Sequence, residues 1–187
     1  MNKVTPISKR QNALIVGGLL GDSHMQKTSA ATGKCRLRFS QNAKQKNYLE
    51  WKYEVLKKYF CKTTSGIKAD TRDRKTGIYL SYTFYTEYMD EFRSIHAKWY
   101  IPKIQISKKG VIKTSFVKTV PSDLNKIFTD PLALAVWYLD DGTKRTDTES
   151  CRLATQSFTK EENEIIRDCL LPSSKFRYSF GDRRLGL

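Results

Sequence analysis

The sequence predicts an α+β chain made of two related copies of one helix-and-strand unit, the second cut short. Three observations predict it. Cationic and apolar residues alternate with period two over parts of the first half, which marks half-buried strands. Apolar and aromatic stripes at helical spacing lie between them. A short apolar helix ending in a carboxylate occurs twice, with Asp22 and Asp141 separated by 119 residues. The chain has 187 residues, and its 39% apolar and 12% aromatic content excludes general disorder. Its longest apolar-plus-glycine run, Ala13 to Gly21, has nine residues; a membrane span needs ~20. No secretory apolar segment follows the first twelve residues, so no signal peptide is expected. The four cysteines (35, 61, 151, 169) form no CxxC pair and read as core thiols in a reducing compartment, without zinc spacing.

Each element has a local reason. Gln11 to Leu20 is a short apolar helix. Lys34-Cys35-Arg36-Leu37-Arg38-Phe39-Ser40 alternates strictly, with Lys34, Arg36, Arg38 and Ser40 on one face. Asn47 to Phe60 is an amphipathic helix with its lysines on the outer side. Strands at Gly66–Arg72 and Gly77–Tyr85 form a hairpin through Asp73–Thr76. Thr86 to Ala97 is helical, with Tyr88, Met89, Phe92 and Ile95 as core. Ser122 to Phe128 is a short helix with Ser122 and Asp123 as cap candidates. Asp130 caps and Pro131 opens an apolar helix from Leu132 to Leu139. Thr159 to Cys169 begins Thr-Lys-Glu-Glu, read as a capping box one position tight.

The charge is uneven. Residues 1–120 carry 24 basic and 8 acidic side chains, and residues 121–187 carry 10 and 11. Such an excess on a folded surface calls for a polyanion, and nucleic acid fits it best. An anionic membrane surface is the rival, but no lysine-rich helix has a strong apolar face, so no membrane partner is expected. The basic strand and hairpin form a cationic sheet face suited to a duplex groove. The alternative for any single residue is a solvated surface charge.

Each acid-ending helix places a carboxylate where the dipole already presents negative charge, which costs a few tenths to ~1 kcal/mol unless a cation compensates. Gly17, Gly18 and Gly21 each cost ~1 kcal/mol relative to alanine within a helix. Three in five residues point to a close backbone approach, most simply helix on helix. If the Leu132–Leu139 helix is the partner, Asp22 and Asp141 converge among main-chain carbonyls. That is a hard-oxygen site suited to Mg²⁺ rather than Zn²⁺, and it suits metal-assisted phosphodiester hydrolysis. The alternative is that both acids merely cap turns.

Ile15-Val16-Gly17-Gly18-Leu19-Leu20-Gly21-Asp22-Ser23 and Leu134-Ala135-Val136-Trp137-Tyr138-Leu139-Asp140-Asp141-Gly142 both resemble the LAGLIDADG motif. The second resembles the intron-encoded homing-endonuclease branch of that family, and the likeness covers roughly residues 10–170. The resemblance implies an αββαββα subdomain repeated with pseudo-twofold symmetry, here 1–118 and 119–187, with the second copy truncated. It implies metal-binding acids at Asp22 and Asp141, assisted by the carbonyls of Gly21 and Asp140. Gln41 and Lys144 match the supporting catalytic positions; Gln156 and Lys118 match less closely. DNA contacts are expected from Lys34, Arg36, Arg38, Lys68, Arg72, Arg74, Lys75, Lys118, Arg145 and Arg152.

The implied activity is a staggered, site-specific cut in double-stranded DNA with Mg²⁺, Mn²⁺ substituting, promoting intron homing. Two alternatives stay open: an RNA maturase assisting a group I intron, and a cleavage-impaired DNA-binding remnant. The first motif ends in Ser23 rather than glycine, and Val136-Trp137 replaces Gly17-Gly18, so the helix interface is asymmetric. A full second copy calls for another hairpin and helix, where the chain ends in Lys175–Phe180 and a polar tail. Two motifs imply a monomer; a missing second saddle implies a dimer. An organelle (chloroplast or mitochondrion) or a bacterial cytoplasm is the expected compartment. His24 reads as a surface-loop residue or a contact to metal-bound water, and His96 as a cation at a helix end.

Overall fold

The computed structural model describes residues 6–60, 66–74, 77–106 and 112–171. The chain runs α1 (Lys9–Leu20), β1 (His24–Lys27), β2 (Cys35–Asn42), α2 (Lys46–Phe60), β3 (Lys68–Arg74), β4 (Gly77–Tyr85), α3 (Glu91–Trp99), β5 (Tyr100–Ile106), β6 (Ile112–Lys118), α4 (Leu124–Ile127), α5 (Pro131–Asp141), β7 (Gly142–Lys144), β8 (Cys151–Leu153) and α6 (Lys160–Leu170). The fold is α+β, with all strand pairing antiparallel. Lys75, Cys61 and the expected break-off at Lys175–Phe180 lie outside the described residues.

Helices α1 and α5 form the central pair. Ser8 and Gln11 close a capping box at the start of α1, while Asp130 accepts the Leu132 amide at 2.9 Å and Pro131 holds the first turn of α5. The glycines of α1 make the approach possible. A Cβ on Gly17 would lie 2.2 Å from the Ala133 carbonyl oxygen, and one on Gly21 would lie 2.5 Å from Asp140 Cβ. Position 17 thus meets 133 and position 21 meets 140, so the helices run in the same sense and end together. Leu14, Ile15, Leu19, Ala133, Val136 and Trp137 are buried around this seam.

The four-stranded sheet has the order β1-β2-β4-β3. In β2, Cys35, Leu37, Phe39 and Gln41 point inward and their neighbours are half-exposed. Leu49 and Leu56 of α2 and Phe92 of α3 belong to the same buried core, and Phe39 stacks on Phe84 with centroids 4.9 Å apart.

Several expectations shift. Helix α3 begins five residues late, because Thr86 and Leu37 exchange hydrogen bonds and Cys35 and Met89 exchange another pair. These bonds keep 86–89 extended beside β2. The lysines of α2 are not all outward: Lys52 is 1% exposed. The Thr159 capping box is complete, with Glu162 at the third helical position. Cys35 is buried, but Cys151 is exposed on β8. His96 is 4% exposed and stacked on Tyr100; burial, with Lys27 and His24 nearby, lowers its pKa, which opposes the expected helix-end cation. The β5–β6 hairpin had no forecast. No helix among the described residues is long and apolar enough to cross a membrane.

Candidate functional site

The paired helix ends bring the carboxylates of Asp22, Asp140 and Asp141 together with the ammonium groups of Lys52 and Lys118. Asp140, the last residue but one of α5, lies over Gly21 with its side chain fully buried. Its Oδ1 receives the Lys52 ammonium at 2.5 Å and Gln41 Nε2 at 2.9 Å. Its Oδ2 is buried without a hydrogen-bond partner among the described residues. Gln41 Nε2 also reaches Asp22 Oδ2 at 3.4 Å, so one amide spans acids from both halves of the chain. On the other side, Lys118 Nζ donates to the carbonyls of Gly21 and Ser23, each at 2.9 Å.

The charges shape one another. Burial pushes Asp141 up to about 6, reinforced by the negative charges of Asp22 and Asp140. Burial also raises Asp22 and Asp140, against the pull of Lys52. Lys52 and Lys118 are lowered by burial, and the neighbouring acids oppose that fall. Removing either lysine would leave carboxylates crowded in a poorly solvated pocket.

This centre opens into a polar cleft lined by Asp22, Gln41, Asp140, His24, Arg38 and Arg72. Its floor is the sheet face. Register puts His24 opposite Arg38 and Gln26 opposite Arg36, and Lys68 and Arg72 follow two strands away opposite Thr83 and Tyr79. Arg36 is held between Tyr85 (4.2 Å) and Tyr88 (4.6 Å). Arg38 Nε is buried with no hydrogen-bond partner among the described residues. His24 belongs to β1 rather than to a loop. Tyr100 Oη accepts the Met25 amide at 2.8 Å and shares a hydrogen bond with His24 Nδ1 at 3.2 Å.

The predicted residues sort into three groups. Asp22, Gly21, Gln41, Asp140 and Asp141 come together, and Lys118 joins them instead of the exposed face. Lys34 (paired with Asp90 at 3.4 Å), Arg36, Arg38, Lys68 and Arg72 share the sheet side. Arg74 ends β3, and its side chain is outside the described set. Lys144, Arg145 and Arg152 sit on or beside the β7–β8 hairpin; Lys144 and Arg152 are exposed and Arg145 pairs with Asp147. Sequence reasoning missed Lys52. Its signal was present: Leu49, Lys52 and Leu56 follow one helical stripe, so a lysine there is inside.

The donors suit a hard divalent ion. Asp22, Asp141 and the Gly21 carbonyl supply only oxygen, and that carbonyl already accepts a cation, the Lys118 ammonium. Among the described residues no group of three His, Cys, Asp or Glu side chains is arranged to hold a metal ion, so ligation would rest on carboxylates, carbonyls and the incoming phosphate.

Comparison with known proteins fits this geometry. Cytochrome b mRNA maturase bI2 of Saccharomyces cerevisiae is 33% identical over 144 residues, 76% of this chain and 32% of that protein. The maturase of the same name from Debaryomyces hansenii is 30% identical over 158 residues, 84% of this chain and 54% of that one. DNA endonuclease I-ChuI of Chlamydomonas applanata is 27% identical over 156 residues, 82% of this chain and 68% of that one. The chain therefore spans a third to about half the length of the two maturases. No solved structure matches. Residues 12–181 match the model of the LAGLIDADG DNA endonuclease family, and with α1 leading into Asp22 and α5 ending at Asp141 the chain belongs to that family.

Proposed function

We propose that the chain is a Mg²⁺-dependent, site-specific endonuclease that makes a staggered cut in double-stranded DNA and promotes intron homing. The observation that carries this reading is the single cleft in which the acid centre meets the cationic sheet face. The residues would divide the work as follows. Arg38, Arg72 and Lys68 hold the backbone by charge. Asp22 and Asp141, with the carbonyls of Gly21 and Asp140, would hold the metal, and Mn²⁺ would substitute. Bound there, the metal supplies an activated water and neutralises charge developing at the scissile phosphate. Lys118 places an ammonium beside the reacting oxygens, and Gln41 keeps Asp22 and Asp140 in register. Lys144 and Arg152 extend the contact on the second hairpin, with Arg145 released from Asp147. Residues 1–118 and 119–187 act as the two subdomains, an organelle being the setting that relatives named for cytochrome b mRNA support.

A second reading is an RNA maturase, favoured by the two relatives so named. Paired, partly buried carboxylates beside a phosphate-binding face favour cleavage, because an RNA-binding surface has no use for them. Cleavage of a plasmid library carrying candidate intron-insertion sites separates the two. Linear product with Mg²⁺, absent with Ca²⁺ and absent for Asp141→Asn, supports the nuclease. Binding of intron RNA with no cleavage by any form supports the maturase.

A further inference from the structure

The β5–β6 hairpin stands apart from the four-stranded sheet. Its strands pair along their full length, from Tyr100 with Lys118 to Ile106 with Ile112, and among the described residues no other strand joins them. A lone two-stranded ribbon is marginally stable in water. This one also exposes Ile104 (69%), Ile106 (71%) and Ile112 (69%), which register places on one face with Pro102 and Phe116. Between positions 100 and 118 the sequence has five lysines and no acid. An apolar, wholly cationic ribbon left in solvent calls for a partner.

Its place identifies the partner. At its foot, Lys118 reaches the Gly21 and Ser23 carbonyls at the acid centre, and Tyr100 reaches His24. Farther out, Pro102 and Phe116 share a cavity wall with Lys27, Gly33 and Cys35, and the Lys27 ammonium lies 5.4 Å from the Phe116 ring centroid. The ribbon therefore follows β1, the edge strand, from its catalytic end toward the β1–β2 turn. Six strand steps of ~3.3 Å carry the tip about 20 Å from the foot, or roughly six base pairs of duplex. A second copy of the chain is a poor match, since two acid-free lysine ribbons repel each other.

Resting on the nuclease reading above, we propose that the β5–β6 hairpin is an arm that grips duplex DNA flanking the cleavage site, on the β1 side of the sheet. Exposed Lys103 meets phosphate, and the Ile104–Ile106–Ile112 face packs against sugars and base edges in the groove.

The test measures binding of the full chain to a long DNA duplex in Ca²⁺ across a salt series, with circular dichroism confirming the fold of each variant. Lys103→Glu should weaken binding several-fold and flatten the slope of log affinity against log salt by about 0.9, one phosphate contact. A variant combining Ile104→Thr, Ile106→Thr and Ile112→Thr should weaken binding with the slope unchanged. A charge-matched control, Lys126→Gln with Lys160→Gln on α4 and α6, should leave the slope as it was. Unchanged affinity and slope in both arm variants, with wild type binding well, would overturn the arm alone. So would a loss confined to structured RNA, or a change from dimer to monomer at constant DNA affinity. Failure of wild type to bind duplex at all would remove the nuclease reading along with the arm.

Discussion

Lys52 and Asp140 hold the two halves of the chain together at the functional end, and the pair is costly to half-remove. Both side chains are out of water, at 1% and 0% exposure. Lys52→Met leaves a buried carboxylate without its counter-charge, and should destabilise the fold by about 3–5 kcal/mol in urea denaturation. Adding Asp140→Asn removes the stranded charge and should recover most of that loss; equal instability of the single and double variants would contradict the pairing. Asp141 behaves differently. Its folded-state pKa is about 6 against an ordinary 3.8, so between those values the folded chain binds more protons than the unfolded one. Stability of the metal-free protein therefore falls as pH rises through this window. Asp141→Asn should abolish that part of the slope and raise Tm at pH 7 relative to wild type, while eliminating cleavage. Thermal melts of both proteins across pH 4 to 8 measure the difference. A carboxylate kept at a site that disfavours its charge marks the trade of stability for activity seen at functional centres.

At the scale of elements, the seam between α1 and α5 depends on the absence of side-chain atoms. Gly17→Ala would drive a methyl group into the Ala133 carbonyl, 2.2 Å away. The helices must separate, with an expected cost of about 1–3 kcal/mol, read as a lower denaturation midpoint. Because the same motion pulls Gly21 from Asp140, cleavage should fall further than the lost folded fraction explains. Gly17 and Gly21 were legible in sequence as a close helix approach, whereas Gly18 meets Ser23 and Phe39 instead, and the caps of α5 and α6 were legible as Asp130-Pro131 and Thr159. The late start of α3 was not. Thr86 and Met89 pair with β2 across a separation of about fifty residues, and a tertiary partner overrides local helix propensity there.

For the whole molecule, the proposed nuclease reading assigns the charge partition to affinity and the two acids to chemistry. Asp22→Asn should therefore abolish Mg²⁺-dependent cutting while leaving duplex binding in Ca²⁺ within about twofold, as measured by gel shift and plasmid linearisation. Loss of binding together with cutting would make Asp22 a structural residue. Binding itself should weaken steeply with salt, because it rests on displaced counterions along the cationic face.

What the sequence by itself determined is whatever local pattern and spacing encode. Period-two alternation placed Arg36 and Arg38 on one strand face, helical periodicity placed the core stripes, and the segments Ile15–Ser23 and Leu134–Gly142 carried the resemblance to the family. What only the tertiary structure decided is which distant groups share one low-dielectric space. Lys52 was read as solvent-facing because a lysine in a helix usually is. It became the counter-charge of Asp140 only when α2 was laid against the end of α5. Lys118 was expected on a nucleic-acid face, with a weaker match to the catalytic pocket, and His24 in a loop or against metal-bound water. A hairpin with no forecast of its own carried Lys118 to the Gly21 carbonyl and Tyr100 to His24. Charge compensation acts through space over a few ångströms, and chain order does not report which residues those few ångströms contain.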